Sequence, residues 1–272
     1  IFENRIKNIN VKLISLSKFL KAPDPIIDIF RQKFNLLTNG IHKELENIYT
    51  GVVYDTLRDM GVTNCVISYD IKPIYPVNKL YGQIWTCEGQ YDTNVSMEDS
   101  LSSWAKMLST APSNNIIICS ANNSIDKNLN YSPKISHMGE LSAEVLKNKG
   151  ILGFVTDGGT RDVEFLEDIK LPIFCSYETP KDIVGNWKIT KMAETITINS
   201  SPVPDESYST KVEINNGDIF LYDRDGIVII PSNLYSEVVK LAIDKSAKES
   251  TMRKSILDGM DPYDAYKKYG IF

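Results

Sequence analysis

The sequence predicts a mixed α/β or α+β fold, and three observations carry that expectation. Short apolar runs rich in β-branched residues, such as "NNIIICSA" (114–121) and "ILGFVTD" (151–157), alternate with stretches of helical spacing. Glycines follow two of the helical stretches, at Gly61 and Gly150, where a helix commonly ends. The alternation lacks the clean βαβ rhythm of a doubly wound sheet. A chain of 272 residues suits one large domain or two small ones and is long enough to bury most of its apolar side chains.

Each element follows from its own stretch. Residues 1–38 read as an N-terminal helical extension: "NRIKNINVKLISLSKFLKA" has amphipathic spacing, and "PDPIIDIFRQKF" restarts after a proline break. The body, residues 39–272, opens with "IHKELENIYTGVVYDTLRDMG" (41–61), two helical pieces ended by Gly61. "NCVISYDIKPIYP" and "KLYGQIWTCEGQ" carry the β-branched and aromatic residues of strands. "MEDSLSSWAKMLSTAP" (97–112) is helical through Leu101, Trp104 and Leu108, and "NNIIICSA" is a buried strand. A loop at 122–136 leads to the helix "GELSAEVLKNKG" (139–150). Then come a strand "ILGFVTD", a short helix "TRDVEFLEDI" and a strand "LPIFCSY". "NSSPVPDESYST" (199–210) reads as a surface insertion. "GDIFLYDRDGIVIIP" (217–231) reads as a hairpin turning near Asp225–Gly226, and the remaining residues are helical.

Composition removes several function classes. A formal net charge of -5 without a basic face argues against nucleic-acid binding. The longest apolar runs are far too short for a membrane span, and the N-terminal stretch lacks the pattern of a secretory signal. Cys65, Cys87, Cys119 and Cys175 lie far apart with no C-x-x-C, so they read as buried free thiols in a reducing compartment, most simply the cytoplasm.

The chemistry gathers around "GFVTDGGTRDVEF" (153–165). Gly139 opens a helix, so the amides of Glu140, Leu141 and Ser142 form an end that attracts an anion. Twenty residues separate Glu140 from Arg161–Asp162, and the intervening helix and strand can fold back so that the two ends meet. "DGG" leaves the backbone open to approach. A guanidinium offers a planar fork for a carboxylate or carbonyl oxygen, and one or two carboxylates suffice for a hydrated Mg²⁺. Together these describe a site for a small α-keto acid. A structural reading stands beside it: Thr160 caps the short helix, Asp162 sits in its first turn, and Arg161 pairs with Glu164 or Glu167.

"GELSAEVLKNKGILGFVTDGGTRDVEF", with its acidic-x20-Arg-Asp spacing, resembles regulator of ribonuclease activity A and its relatives. Those relatives are the 4-hydroxy-4-methyl-2-oxoglutarate / 4-carboxy-4-hydroxy-2-oxoadipate aldolases. "TGVVYDTLRDMG", "IKPIYPVNKLYGQIWTCEG", "LPIFCSYETPKDIVGNW", "NNGDIFLYDRDGIVIIP" and "GMDPYDAYKKYG" resemble the family's other segments in order, from about residue 40 to the end. The resemblance implies a compact layered β/β/α fold and a homotrimer or dimer of trimers with active sites at subunit interfaces. It also implies a metal-dependent aldolase that decarboxylates oxaloacetate through a shared pyruvate enolate.

Carried over by position, Asp162 would coordinate Mg²⁺ or Mn²⁺ and Glu140 would hold it through water. Arg161 would bind the ketone oxygen, and the amides from Gly139 through Leu141 to Ser142 would take the substrate carboxylate. A glutamate of the adjoining subunit's C-terminal helix contributes in the family, and Glu249 in "SAKES" is its candidate. Glu140 replaces the aspartate common in the aldolases, and Ser142 replaces an apolar residue. The family also contains non-catalytic, protein-binding regulators of an RNA-degrading enzyme, and related metal-enolate enzymes acting on sugar acids form a further alternative. Of the two histidines, His137 reads as a solvated or capping residue, and "DRDG" at 223–226 as a turn and not a calcium loop.

Overall fold

The computed structural model describes residues 42–92, 94–121, 134–200 and 211–271. The N-terminal helical extension expected at 1–38 lies outside these residues, as do most of the loop expected at 122–136 and most of the insertion expected at 199–210. A 3-10 turn (Lys43–Asn47) precedes α1 (Thr50–Asp59), β1 (Lys72–Pro73), β2 (Leu80–Tyr91), α2 (Met97–Thr110) and β3 (Asn115–Ser120). Next come β4 (Ser136–Met138), α3 (Glu140–Asn148), β5 (Gly153–Thr156), β6 (Gly159–Thr160), α4 (Val163–Ile169), β7 (Ile173–Cys175) and β8 (Tyr177–Glu178). The chain closes with β9 (Trp187–Met192), β10 (Ile196–Asn199), β11 (Lys211–Ile214), β12 (Ile219–Asp223), β13 (Gly226–Ile230), α5 (Tyr235–Leu257) and α6 (Pro262–Tyr269).

The main sheet has the order β1-β7-β5-β3-β2-β12-β13, with β9 also paired to β2. Strands β2, β3, β5 and β7 are parallel, and α2, α3 and α4 stand between them in the chain. The centre of the molecule therefore does keep a βαβ rhythm, contrary to the sequence reading. The short strands β4 and β6 interrupt it, and pieces of three and two residues leave no periodic signature.

Side-chain alternation explains the triple isoleucine of β3. Ile117 and Cys119 join Trp104, Met107, Ala143, Leu146 and Leu166 on the helix side of the sheet. Ile116 and Ile118 join Ile196, Ile198, Val212 and Ile214 of the β10–β11 ribbon on the other side. A parallel strand covered on both faces is apolar at every position. Ribbon, main sheet and helices make the β/β/α layering. Ile117 is fully buried, and cutting it to alanine is expected to cost about 2–5 kcal/mol. At the antiparallel end, Ile219, Leu221, Val228 and Ile230 pack with Val52, Val53 and Leu57 of α1 and Val238 and Ala242 of α5.

Two local expectations change. Leu101 is 53% exposed, and α2 instead buries Ser100, Trp104 and Met107. "NCVISYDIKPIYP" forms isolated bridges at Val66 and Ile67 and the two-residue β1 in place of a longer strand. The hairpin forms as expected, with Asp223 paired to Gly226. All four cysteines are buried and free.

Candidate active site

A second, three-stranded parallel sheet, β4-β6-β8, sits beyond the ends of the main-sheet strands. The chain passes from β5 to β6 through Asp157 and Gly158, and from β7 to β8 through Ser176. Asp157 is buried, and its Oδ1 accepts a hydrogen bond from the Ala121 amide at 2.7 Å, tying the ends of β3 and β5 together. Met138 pairs with Thr160. The Met138 carbonyl accepts from the Arg161 amide at 2.9 Å and from Thr160 Oγ1 at 3.0 Å. The next residue on one strand is Gly139, and on the other Arg161. This pairing turns a separation of twenty residues into adjacency.

Arg161, Asp162 and the start of α3 therefore meet. Asp162 Oδ2 accepts from the Glu140 amide at 3.1 Å and lies 3.6 Å from Arg161 Nε. A Cβ on Gly139 would fall 2.7 Å from Asp162 Oδ2 and 3.2 Å from Arg161 Nε, so only glycine admits this approach. Asp162 itself has φ 59° and ψ 37°, the left-handed region, at the N-cap position of α4. That conformation costs roughly 1–2 kcal/mol for a residue with a Cβ, and aspartate is among the residues that tolerate it best. Its carboxylate leaves the helix it precedes and turns to the helix beginning at Glu140.

The contacts expected from the structural alternative are not the ones these residues make. Thr160 spends its hydroxyl on Met138 and does not cap α4. Asp162 precedes the first turn and does not lie within it. Arg161 pairs with neither Glu164 nor Glu167; its NH1 donates to Asp182 Oδ2 at 3.1 Å. Nothing in the sequence points to Asp182. It follows the third strand of the small sheet and bridges Ser136 of β4, and no sequence spacing announces that contact.

The remaining candidates divide. Leu141 is 74% exposed beside the site. Ser142 Oγ accepts from Trp104 Nε1 at 2.9 Å, which explains a hydroxyl where an apolar residue was expected. The amides of Leu141 and Ser142 belong to the first turn, where no preceding helical carbonyl reaches them. Glu249, on α5, accepts from the Tyr49 hydroxyl and shares no hydrogen bond or ion pair with Arg161 or Asp162 of its own chain among the described residues. Burial, followed by Glu249, pushes the Tyr49 hydroxyl up to about 12.

His137 corrects another expectation. It is buried with its ring edge-on to Trp187, centroids 4.7 Å apart, and neither ring nitrogen has a partner among the described residues. Desolvation depresses its pKa to about 3. The space left by "DGG" is filled by the protein and not open to a ligand. A Cβ on Gly158 would meet His137 Nδ1 at 2.2 Å, and one on Gly159 would meet the Tyr177 ring at 2.5 Å.

Chemically, the set offers an exposed cation, an exposed carboxylate and a helix N-terminus. Among the described residues no three His, Cys, Asp or Glu side chains converge as a metal cage. Asp162, with Oδ2 engaged and its side chain 38% exposed, has the hard oxygen chemistry for a cation that keeps most of its waters, such as Mg²⁺ or Mn²⁺. Arg161 opposes that cation by charge repulsion and favours an anionic ligand beside it. A separate polar cavity of about 440 Å³ is lined by Ser68, Lys72, Lys134, Asp157 and Ser176 among others, and includes none of these groups.

With this geometry in place, comparison with known proteins identifies the family. The model of the RraA-like family (aldolase/RraA) matches residues 50–229, more than half of the chain. The chain belongs to the RraA-like family. It is 26% identical over 227 residues to a candidate 4-hydroxy-4-methyl-2-oxoglutarate aldolase of Halalkalibacterium halodurans, covering 82% of this chain and 91% of that one. It is 24% identical over 229 residues to protein DlpA of Legionella pneumophila, covering 84% of this chain but only 33% of DlpA, about a third of that relative's length.

Solved structures share the fold, two of them over most of both chains. RraAS2 of Streptomyces coelicolor, described as an unusual member of the RNase ES inhibitor RraA family, aligns with a TM-score of 0.63 and 19% identity over 78% of this chain and 96% of its own. An uncharacterized Pseudomonas syringae protein aligns with a TM-score of 0.65 and 20% identity over 83% and 92% of the two chains. The RraA-like family thus includes both aldolases and ribonuclease regulators. No helix among the described residues is long and apolar enough to cross a membrane.

Proposed function

We propose that this chain is a divalent-metal-dependent carbon–carbon lyase for short dicarboxylic α-keto acids. It would cleave substrates of the 4-hydroxy-4-methyl-2-oxoglutarate type to pyruvate and decarboxylate oxaloacetate. The observation that carries the reading is the convergence of Arg161, Asp162 and the Gly139 helix end on one exposed spot. The relative in Halalkalibacterium halodurans supports the substrate class.

In this reading the amides of Leu141 and Ser142 take the substrate's C1 carboxylate, because a helix end supplies both free donors and a favourable dipole. The Arg161 guanidinium donates to the C2 ketone oxygen. Glu140 orders the water that accepts the proton of the C4 hydroxyl. The C4 oxygen then forms a carbonyl as the C3–C4 bond breaks, the C4 fragment leaves as a second keto acid, and the bond's electron pair becomes the enolate of pyruvate, whose C2 oxygen Arg161 holds. Protonation at C3 releases pyruvate. Oxaloacetate loses CO₂ to give the same enolate, so one site serves both reactions. Mg²⁺ or Mn²⁺ held by Asp162 and, through water, by Glu140 would act as a Lewis acid on the same oxygen.

The reading includes a homotrimer or dimer of trimers whose interfaces complete the sites, with Glu249 supplied by a neighbour. Exposed Leu141 and, at 55%, Phe165 next to the site support it. Four buried free thiols support a cytoplasmic setting. The test is pyruvate release from oxaloacetate and from 4-hydroxy-4-methyl-2-oxoglutarate with and without Mg²⁺. Metal-stimulated turnover that disappears in Arg161→Ala is expected; no turnover, or turnover indifferent to Arg161, rejects the reading.

A further inference from the structure

We propose that Asp182 is the positioning residue of this site: it holds the Arg161 guanidinium in one pose, short of a hydrogen-bonded pair with the Asp162 carboxylate. The inference rests on the lyase reading and adds a residue that the acidic-x20-Arg-Asp spacing does not contain.

Two carboxylates compete for one guanidinium, and the distances show which one holds it. NH1 of Arg161 donates to Asp182 Oδ2 at 3.1 Å, whereas Nε stands 3.6 Å from Asp162 Oδ2, too long for a hydrogen bond. Asp182 is itself fixed. Its Oδ1 accepts from the Val184 amide at 3.1 Å, and its backbone bridges Ser136 on β4, the strand that leads into Gly139. The turn that follows is anchored on α2, where Ser100 Oγ accepts from the Gly185 amide at 3.1 Å and donates to the Ile183 carbonyl at 3.4 Å. Ile183 is buried next to Asp182, so the acid stands on the core and not on a free loop.

The consequence is electrostatic. Without Asp182 the guanidinium loses its hydrogen-bonded partner and swings freely, its charge passing over the Asp162 oxygen that a cation needs. Asp182 thus separates the two roles, leaving Arg161 for the ketone oxygen and Asp162 for the metal. Partners that orient metal ligands typically matter by about 10–100-fold in metal affinity or activity, and an effect of that order is expected here, where the group held stands beside the ligand. As a half-exposed ion pair, Arg161–Asp182 contributes little to stability, so its removal leaves a folded protein to measure.

The experiment compares Asp182→Ala, Asp182→Asn and Asp182→Glu with the natural full chain in three measurements. Side-chain NMR of metal-free protein follows rotation of the Arg161 Nη groups. Direct titration follows Mn²⁺ binding without turnover. Steady-state kinetics on oxaloacetate separates kcat from KM. The expected result for Asp182→Ala is free Nη rotation, Mn²⁺ affinity lower by about 10–100-fold, and a fall in kcat larger than the change in KM. Asp182→Glu restores part of each and Asp182→Asn restores less, a ranking that a role confined to the turn would not produce.

Hindered Nη rotation in Asp182→Ala, or unchanged Mn²⁺ affinity, overturns the inference while leaving the lyase reading intact. A natural protein with neither Mn²⁺ binding nor turnover defeats the lyase reading and the metal half of this inference. The NMR measurement then still decides whether Asp182 holds Arg161.

Discussion

Helix α2 begins at Ser96, whose hydroxyl accepts a hydrogen bond from the Asp99 amide at 3.0 Å, with Glu98 and Asp99 in its first turn. Helix α3, packed beside it, begins at Gly139, has no cap of its own, and takes the Asp162 carboxylate from 22 residues beyond Glu140. The first arrangement is local, so it forms with the helix and stays. The second depends on the pairing of β4 with β6, which brings Asp162 to the Glu140 amide. Only the Glu140 amide is taken in this way, and the amides of Leu141 and Ser142 have no helical carbonyl to receive them. Helix α6 repeats the local pattern, with Asp261 Oδ1 accepting from the amides of Tyr263 and Asp264.

The contrast is most severely tested at Arg161. Its replacement by alanine is expected to lower kcat on oxaloacetate by about 10²–10³-fold, the usual cost of losing one donor to a developing oxyanion. The melting temperature should barely move, since the pairs Arg161 forms are half-exposed. Arg161→Lys should recover little, because an ammonium cannot reproduce the fork between Asp182 and the ketone.

Asp162→Gly comes next. Glycine relieves the left-handed strain, by about 1 kcal/mol, while α3 loses its borrowed cap, also about 1 kcal/mol, so stability should stay nearly level. Mn²⁺ binding should vanish all the same. Denaturant melts beside a metal titration would show it, and a large loss of stability would mean that the borrowed cap is structural after all.

Behind the open helix end, His137 predicts an acid response. Burial holds its pKa at about 3, against an ordinary 6.5, so between those values the unfolded chain binds a proton that the native protein refuses. Stability is therefore complete above about pH 6.5 and falls by about 1.4 kcal/mol per pH unit as the pH drops toward 3. His137→Phe, which keeps the edge-on contact with Trp187, should flatten this slope in urea melts at pH 7 and pH 5. The smallest effect belongs to the local cap: Ser96→Ala should cost about 1 kcal/mol and leave turnover unchanged.

Legibility in the sequence followed the range of the interactions. The triple isoleucine of β3, the hairpin at Asp223–Gly226 and the helix opening at Gly139 are written in neighbouring residues, and each formed where expected. The βαβ order went unread because β4 and β6 are too short to show a period. The setting of His137 is not legible in its neighbours because its surroundings, Trp187 and Gly158, come from another strand and a turn. At the candidate site, the pair Arg161–Asp162 stood out by its position between a strand and a short helix, whereas Asp182 carried no signal at all.

The amino-acid sequence by itself determined the kinds of groups available: one guanidinium, a carboxylate next to it, and a helix that starts on a glycine. It also determined which strands would be apolar on both faces, since periodicity is a property of consecutive residues. Only the tertiary structure decided which carboxylate holds Arg161, where the Asp162 side chain turns, and that the glycines after Asp157 receive rings of the protein itself. The physical reason is that hydrogen bonds and charge pairs act over a few ångströms of space, and the pairing of β4 with β6 and the bridge from Ser136 to Asp182 bring those ångströms about.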